Sequence, residues 1–363
     1  MKYFSFSRHQ RRPVAFASLL ALAVYQYLNP ISNFDIHQAV RRKMTQRKQE
    51  ATSTGYTIYS AVGVPTVCSP NSHLRCIQET PERSDTILFW HIPKSGGTTA
   101  KRLYQCMGKK IAAKTHQFAI SPSQTINVDT TILPGILQAR EMGLVPSRAA
   151  DMVVTHEVTA AVRYLFNPLN RGRALALFRH PIDRLVSKFY YLQIASWERG
   201  YRPHWKNMSL LQWAETEKNG PETNYLVQKL SGKEWEDPVT EADLPTAKQV
   251  LRDHVVVGLM DEMQESFRRF NIVMSATTDQ GSERNLQERC MKELFHPEEL
   301  GGMEKVVKNQ NEHQTIAPGS HEWLVLARKN YLDMHIYSYI EMLFKEQKDI
   351  IDSYQVTEES FIS

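Results

Sequence analysis

Leu88-Phe89-Trp90-His91-Ile92-Pro93-Lys94-Ser95-Gly96-Gly97-Thr98-Thr99 is the stretch whose reading decides the fold. An apolar run of strand type over 86–91 breaks at Pro93 and passes a lysine and two glycines. It then meets two hydroxyl residues that open a helix over 98–107. That order builds a phosphate cradle. Glycine lets backbone N–H groups close on an anion, the helix N-terminus adds positive dipole, and lysine adds a point charge. In the common nucleotide loop the lysine follows the last glycine. Here Lys94 precedes Gly96 and Gly97, which leads away from ATPases and GTPases.

Outward from this loop, strand and helix patterns alternate. Short apolar runs at 152–155, 173–178 and 255–259 read as strands, and 157–166, 181–196, 262–270 and 321–348 read as helices. Pro181 suits the first turn of its helix, where its missing N–H has no intrahelical partner to lose. Such alternation predicts an α/β fold: a P-loop-like, mostly parallel central sheet flanked by helices, with ligands at the C-terminal ends of the strands.

The chain has 363 residues, a net charge of +5, 42% hydrophobic and 23% charged residues, which is enough for a sizeable core. No dense basic tract points to nucleic acid. Residues 14–28 are apolar and uncharged behind Arg11-Arg12, and a basic, then Thr/Ser/Pro/Gly-containing segment follows. The pattern suits a signal-anchor or a cleavable signal peptide, with Ala21-Leu22-Ala23 as the small-x-small site. We read it as a type II anchor. The organisation expected is a cytoplasmic tail over 1–13, an anchor over 14–28, a stem over 29–83, a catalytic domain over 84–350 and a tail over 351–363. Of the four cysteines, Cys68 and Cys76 suit a local bridge, while Cys106 and Cys290 read as buried thiols or a long-range pair. Asn207-Met208-Ser209 is the single N-glycosylation sequon.

A second constellation runs from Phe178-Arg179-His180-Pro181 to Leu185-Val186-Ser187. Arg179 follows a strand and Ser187 lies two turns into the next helix, so both reach one phosphate if the loop folds back. Arg184, between them, is expected to pair with Asp183 or with the ligand.

Taken together, the two motifs resemble the sulfotransferases that use 3′-phosphoadenosine 5′-phosphosulfate. More narrowly they resemble the Golgi carbohydrate sulfotransferases of the heparan sulfate 2-O-sulfotransferase type. The resemblance implies that Lys94, Ser95, Gly96, Gly97, Thr98 and Thr99 hold the 5′-phosphosulfate, and that Arg179 and Ser187 hold the 3′-phosphate. It implies 3′-phosphoadenosine 5′-phosphosulfate as co-substrate, no metal, a carbohydrate acceptor, and a Golgi membrane protein with a lumenal catalytic domain. Weaker echoes are 224–230 (NYLVQKL) and 333–337 (DMHIY). Lys94 would stabilise the leaving oxygen, and His156 would take the acceptor proton, with Glu157 as the alternate base. His91 is expected in a structural role, His116 as a candidate acceptor-site residue, and His180 as a turn residue. Trp197, Tyr201, Trp205 and Trp213, among Arg199, Arg202, His204 and Lys206, make either a sugar-stacking surface or ordinary packing. Two other readings stay open: a small-molecule kinase, and a catalytically silent glycan-binding membrane protein.

Overall fold

The computed structural model describes residues 68–69, 72–113, 125–216, 220, 222–277, 283–300 and 314–359. The chain divides into two units, Met1–Val64 and Pro65–Ser363, and the described residues all belong to the second. The expected cytoplasmic tail, the anchor and His116 lie outside the described residues, as does most of the expected stem. Among the described residues no helix is long and apolar enough to cross a membrane.

Six strands form one sheet: β1 (Thr86–Trp90), β2 (Ile111–Ala112), β3 (Thr125–Ile126), β4 (Met152–Thr155), β5 (Gly172–Phe178) and β6 (Val255–Leu259). Their order is β3-β2-β4-β1-β5-β6 and every pairing is parallel. The helices between them are α1 (Gly97–Cys106), α2 (Leu133–Glu141), α3 (Val158–Leu165), α4 (Pro181–Leu192), α5 (Leu210–Glu215), α6 (Tyr225–Leu230) and α7 (Leu244–His254). After β6 come α8 (Met263–Ala276), α9 (Glu283–Phe295), α10 (His321–Lys329) and α11 (Tyr331–Glu359).

β1 is buried at every position because both faces of the sheet are covered. Its alternating side chains divide between two cores: Leu88 and Trp90 join the layer containing Leu165, Leu226, Leu251 and Ile340, whereas Ile87 and Phe89 join the layer containing Leu103, Phe267 and Val273. A third apolar cluster links Ile182, Leu185 and Phe189 of α4 to Trp205, Trp213 and Leu326. The exposed edge of β6 is closed by Gln347 of α11. Its Oε1 accepts from Val257 N at 2.9 Å and its Nε2 donates to Val255 O at 2.9 Å. That amide satisfies backbone groups that an edge strand would otherwise leave open.

Several boundaries differ from the sequence expectation. Leu74, Cys76 and Ile77, assigned to the stem, are buried, and Leu74 bridges to Gly172 beside β5. The domain therefore packs from upstream of residue 84. At the other end α11 runs to Glu359 with Ile351 and Tyr354 in the core, so 351–359 is helix rather than tail. The single helix expected over 321–348 is two, broken at Asn330. The Asn330 side chain is fully buried, accepting from Asn224 N at 2.9 Å and donating to Leu326 O at 3.0 Å. Both candidate cysteine pairs are disulfides, Cys68–Cys76 and Cys106–Cys290, the latter tying α1 to α9.

Candidate active site

Strand order brings the chemistry together. β4, β1 and β5 are neighbours and point the same way, so the residues just past their C-terminal ends share one edge of the sheet. Those residues are His156 after β4, the loop 92–96 after β1, and Arg179 after β5. The chain leaves β1 toward β2 on one side and later returns to β5 on the other. β1 is thus the switch point at which parallel sheets open a crevice.

The loop runs into an uncapped helix. α1 starts at Gly97 with no side-chain cap and no acidic residue in its first turn, so its first N–H groups remain available as donors. Gly96 has φ 77°, a left-handed conformation natural to glycine, and Lys94 takes φ 66° without that excuse. Such backbone strain collects at functional sites because surrounding contacts hold it. Arg179 supplies one, donating from Nη1 to Lys94 O at 3.3 Å across 85 residues of sequence. Ser95 is buried, and its Oγ has no hydrogen-bond partner among the described residues.

Gly97 has a second reason for being glycine. A Cβ there would lie 1.8 Å from His91 Cδ2 and 2.2 Å from His91 Nε2. The His91 imidazole therefore packs directly against Gly97. It also faces the His156 ring, with centroids 4.6 Å apart.

His156 Nδ1 donates to His91 O at 2.7 Å. Because a carbonyl only accepts, Nδ1 carries the proton and Nε2 of the neutral ring holds a free lone pair. Burial lowers the His156 pKa below its ordinary value, partly offset by that hydrogen bond and by the nearby Glu157 and Glu198 carboxylates. Burial also pushes His91 well down, with His156 and Lys101 adding to the fall. Glu157 sits at the start of α3 with its carboxylate held by Lys229 Nζ at 2.7 Å.

Lys94 Nζ lies over the Tyr191 ring, 3.8 Å from its centroid. Burial lowers its pKa to about 8, helped by Arg179 and opposed by Glu198. Tyr191 donates its hydroxyl to Glu198 at 2.9 Å and accepts from Trp197 Nε1 at 3.2 Å. Ser187 is buried one turn before Tyr191 on α4, and i, i+4 residues share a helix face, so Ser187 lies on the face that meets the loop.

Neither a family model nor a curated protein matches the chain.

The geometry assigns several neighbouring residues to support. Arg184 does not pair with Asp183. It is buried, bonded to Glu222 at 3.0 Å and stacked 4.7 Å from the centre of the Tyr225 ring. Lys188 joins the same carboxylate. Glu222 stays ionised, its pKa falling to about 2, because Lys188 and Arg184 outweigh the cost of burial. The two weak echoes meet each other: both Asp333 oxygens accept from Leu226 N and Val227 N at 3.0 Å, capping α6 from α11. His180 is the residue before α4; its ring stacks on Trp323 and meets Tyr337 edge-to-face.

The aromatic surface splits. Trp205 and Trp213 are core residues packed on Phe189, whereas Trp197 is 61% exposed beside Tyr191. Tyr191, at the end of the aromatic run behind Ser187, and Glu198 had no individual role in the sequence reading. Their only sequence signal is that Tyr191 falls one turn past Ser187, while Glu198 lies beyond the helix in an irregular turn.

Proposed function

We propose that this chain transfers a sulfuryl group from 3′-phosphoadenosine 5′-phosphosulfate to a hydroxyl of a carbohydrate acceptor. The observation that carries the reading is the hydrogen bond from Arg179 to the Lys94 carbonyl, which joins the two phosphate motifs into one site at the β1 and β5 ends. A single cradle would suit many anions. Two, side by side, suit a nucleotide phosphorylated at both the 5′ and 3′ positions.

In this mechanism the acceptor oxygen attacks sulfur in line while the bond from sulfur to the 5′-phosphate oxygen breaks. His156 Nε2 takes the acceptor proton, and the leaving oxygen keeps the bonding electron pair. Lys94, with the uncapped N–H groups of α1 and the Ser95, Thr98 and Thr99 hydroxyls, meets the charge that develops there. Arg179 and Ser187 hold the 3′-phosphate. Bringing a dianionic group beside Lys94 raises its pKa from about 8, so the ammonium form is the one that meets the leaving group. The 14–28 segment fits a type II anchor, and the two disulfides fit the oxidising lumen that such topology implies for the domain.

The test is direct. Adenosine 3′,5′-bisphosphate should raise the melting temperature of the full chain without magnesium, and labelled sulfate should pass from the donor to a polysaccharide. Lys94→Ala should lower transfer by ~10²–10³-fold. A thermal shift seen only with ATP and magnesium would replace this reading with the kinase. Glycan binding with no response to either nucleotide would replace it with the silent binding protein.

A further inference from the structure

Trp197 is an anomaly of exposure. It presents 61% of its surface to solvent although it sits one ring away from the reactive lysine: indole N–H to Tyr191 hydroxyl, Tyr191 face to Lys94 ammonium. The indole is not loose. Its Nε1 is held at 3.2 Å, and its ring stands edge-to-face to Tyr191 at 72° with centroids 6.4 Å apart. Tyr191 is itself fixed by its bond to Glu198. A large apolar ring held in one orientation and left open to water gains free energy when something flat and apolar covers it. Ile194, 46% exposed in the same turn, extends the open surface.

We propose that Trp197 is the platform of the acceptor subsite, on which one sugar ring of the carbohydrate stacks so that its hydroxyl reaches the space between His156 and Lys94. This rests on the proposed sulfuryl transfer for the identity of the reaction, but the stacking itself does not. The carbon–hydrogen face of a pyranose is the apolar surface that an indole covers, while the ring's hydroxyls remain in water or meet polar groups. One such group is adjacent. The Glu198 carboxylate accepts from the Tyr191 hydroxyl at 2.9 Å, the same hydroxyl that receives the Trp197 indole N–H. The two buried indoles of this segment carry no such function: Trp205 and Trp213 are packed against Phe189.

The experiment compares the full chain with Trp197→Ala, Trp197→Phe and the control Trp235→Ala, whose indole is 62% exposed and makes no described contact with Tyr191 or Lys94. Chondroitin, dextran and agarose oligosaccharides are titrated in turn, with tryptophan fluorescence as the binding signal, and sulfate transfer is measured on the same panel. At least one polysaccharide should quench wild-type fluorescence saturably. Trp197→Ala should weaken that affinity by roughly 3–10-fold, the range for one aromatic contact. Trp197→Phe should fall between, and Trp235→Ala should match wild type. If transfer occurs, Trp197→Ala should raise the acceptor KM with a smaller change in kcat, and leave the affinity for adenosine 3′,5′-bisphosphate unchanged.

An unchanged acceptor affinity and KM in Trp197→Ala overturns the platform and leaves the proposed reaction standing. Polysaccharide binding that depends on Trp197 in a chain that transfers no sulfate keeps the platform and removes the reaction. A panel with neither binding nor transfer removes both.

Discussion

Gly97→Ala isolates the contact that shapes the loop. The backbone at Gly97 is not among the positive-φ positions, so alanine can adopt it without dihedral strain. What opposes the substitution is the His91 ring, 1.8, 2.2 and 2.6 Å from the added Cβ through three of its atoms. These separations demand a shift of more than an ångström, since ordinary carbon contacts begin near 3.5 Å. The ring has little room to move, with the His156 imidazole against it. Overpacking of this kind costs about 1–3 kcal/mol, which in a domain of this size lowers the melting temperature by roughly 2–5 °C. The decisive measurement is a double-mutant cycle with His91→Ala, read by thermal and urea unfolding. His91→Ala removes the ring but keeps the carbonyl that orients His156. In that background Gly97→Ala should cost nothing, or stabilise by a few tenths of a kcal/mol through the higher helix propensity of alanine. An equal loss in both backgrounds would refute the steric argument and show that the glycine serves its backbone instead.

Four further outcomes follow from the structure. His156 must be neutral to act as base and its folded pKa lies below the usual 6.5, so kcat/KM should stay level as pH falls through 6.5 and drop only beneath it. A profile already falling at pH 7 would remove His156 from that role. Stability carries the same sign. His91, His156 and His254 all have depressed pKa values through burial, so the unfolded chain takes up protons first, and the melting temperature should decline as pH drops below about 6.5. Reducing Cys106–Cys290, or replacing both residues with serine, should cost about 2–5 kcal/mol in denaturant titration, because the bridge closes 184 residues of chain. Glu222→Ala should destabilise by about 3–5 kcal/mol by leaving Arg184 buried without its partner, and Glu222→Gln should recover only part of that loss.

The elements legible in the sequence are those whose signal is local. The runs at 86–90, 152–155 and 255–259 are continuously apolar because both sheet faces are covered, and they are strands in the structure. Pro181 marks the start of α4 because proline tolerates that position. β2 and β3 were illegible, since two residues each carry no periodicity and exist only through pairing with β4 and with each other. The partner of Arg184 was illegible for a similar reason. Asp183 is adjacent in sequence but exposed, and Glu222 wins from 38 residues away because it is half-buried beside the buried guanidinium.

By itself, then, the sequence determined the parallel α/β layout and the strand–glycine turn–helix passage through 93–99, because apolar run length, glycine placement and proline position act over a few residues. Only the tertiary structure decided that Arg179 grips the Lys94 carbonyl, that the His91 carbonyl fixes the His156 tautomer, and that Trp197 stays open while Trp205 and Trp213 are buried. Those outcomes depend on which strand ends become neighbours and which faces are covered. Strand order and burial are properties of the packed chain, set by the whole core at once rather than by any segment of it.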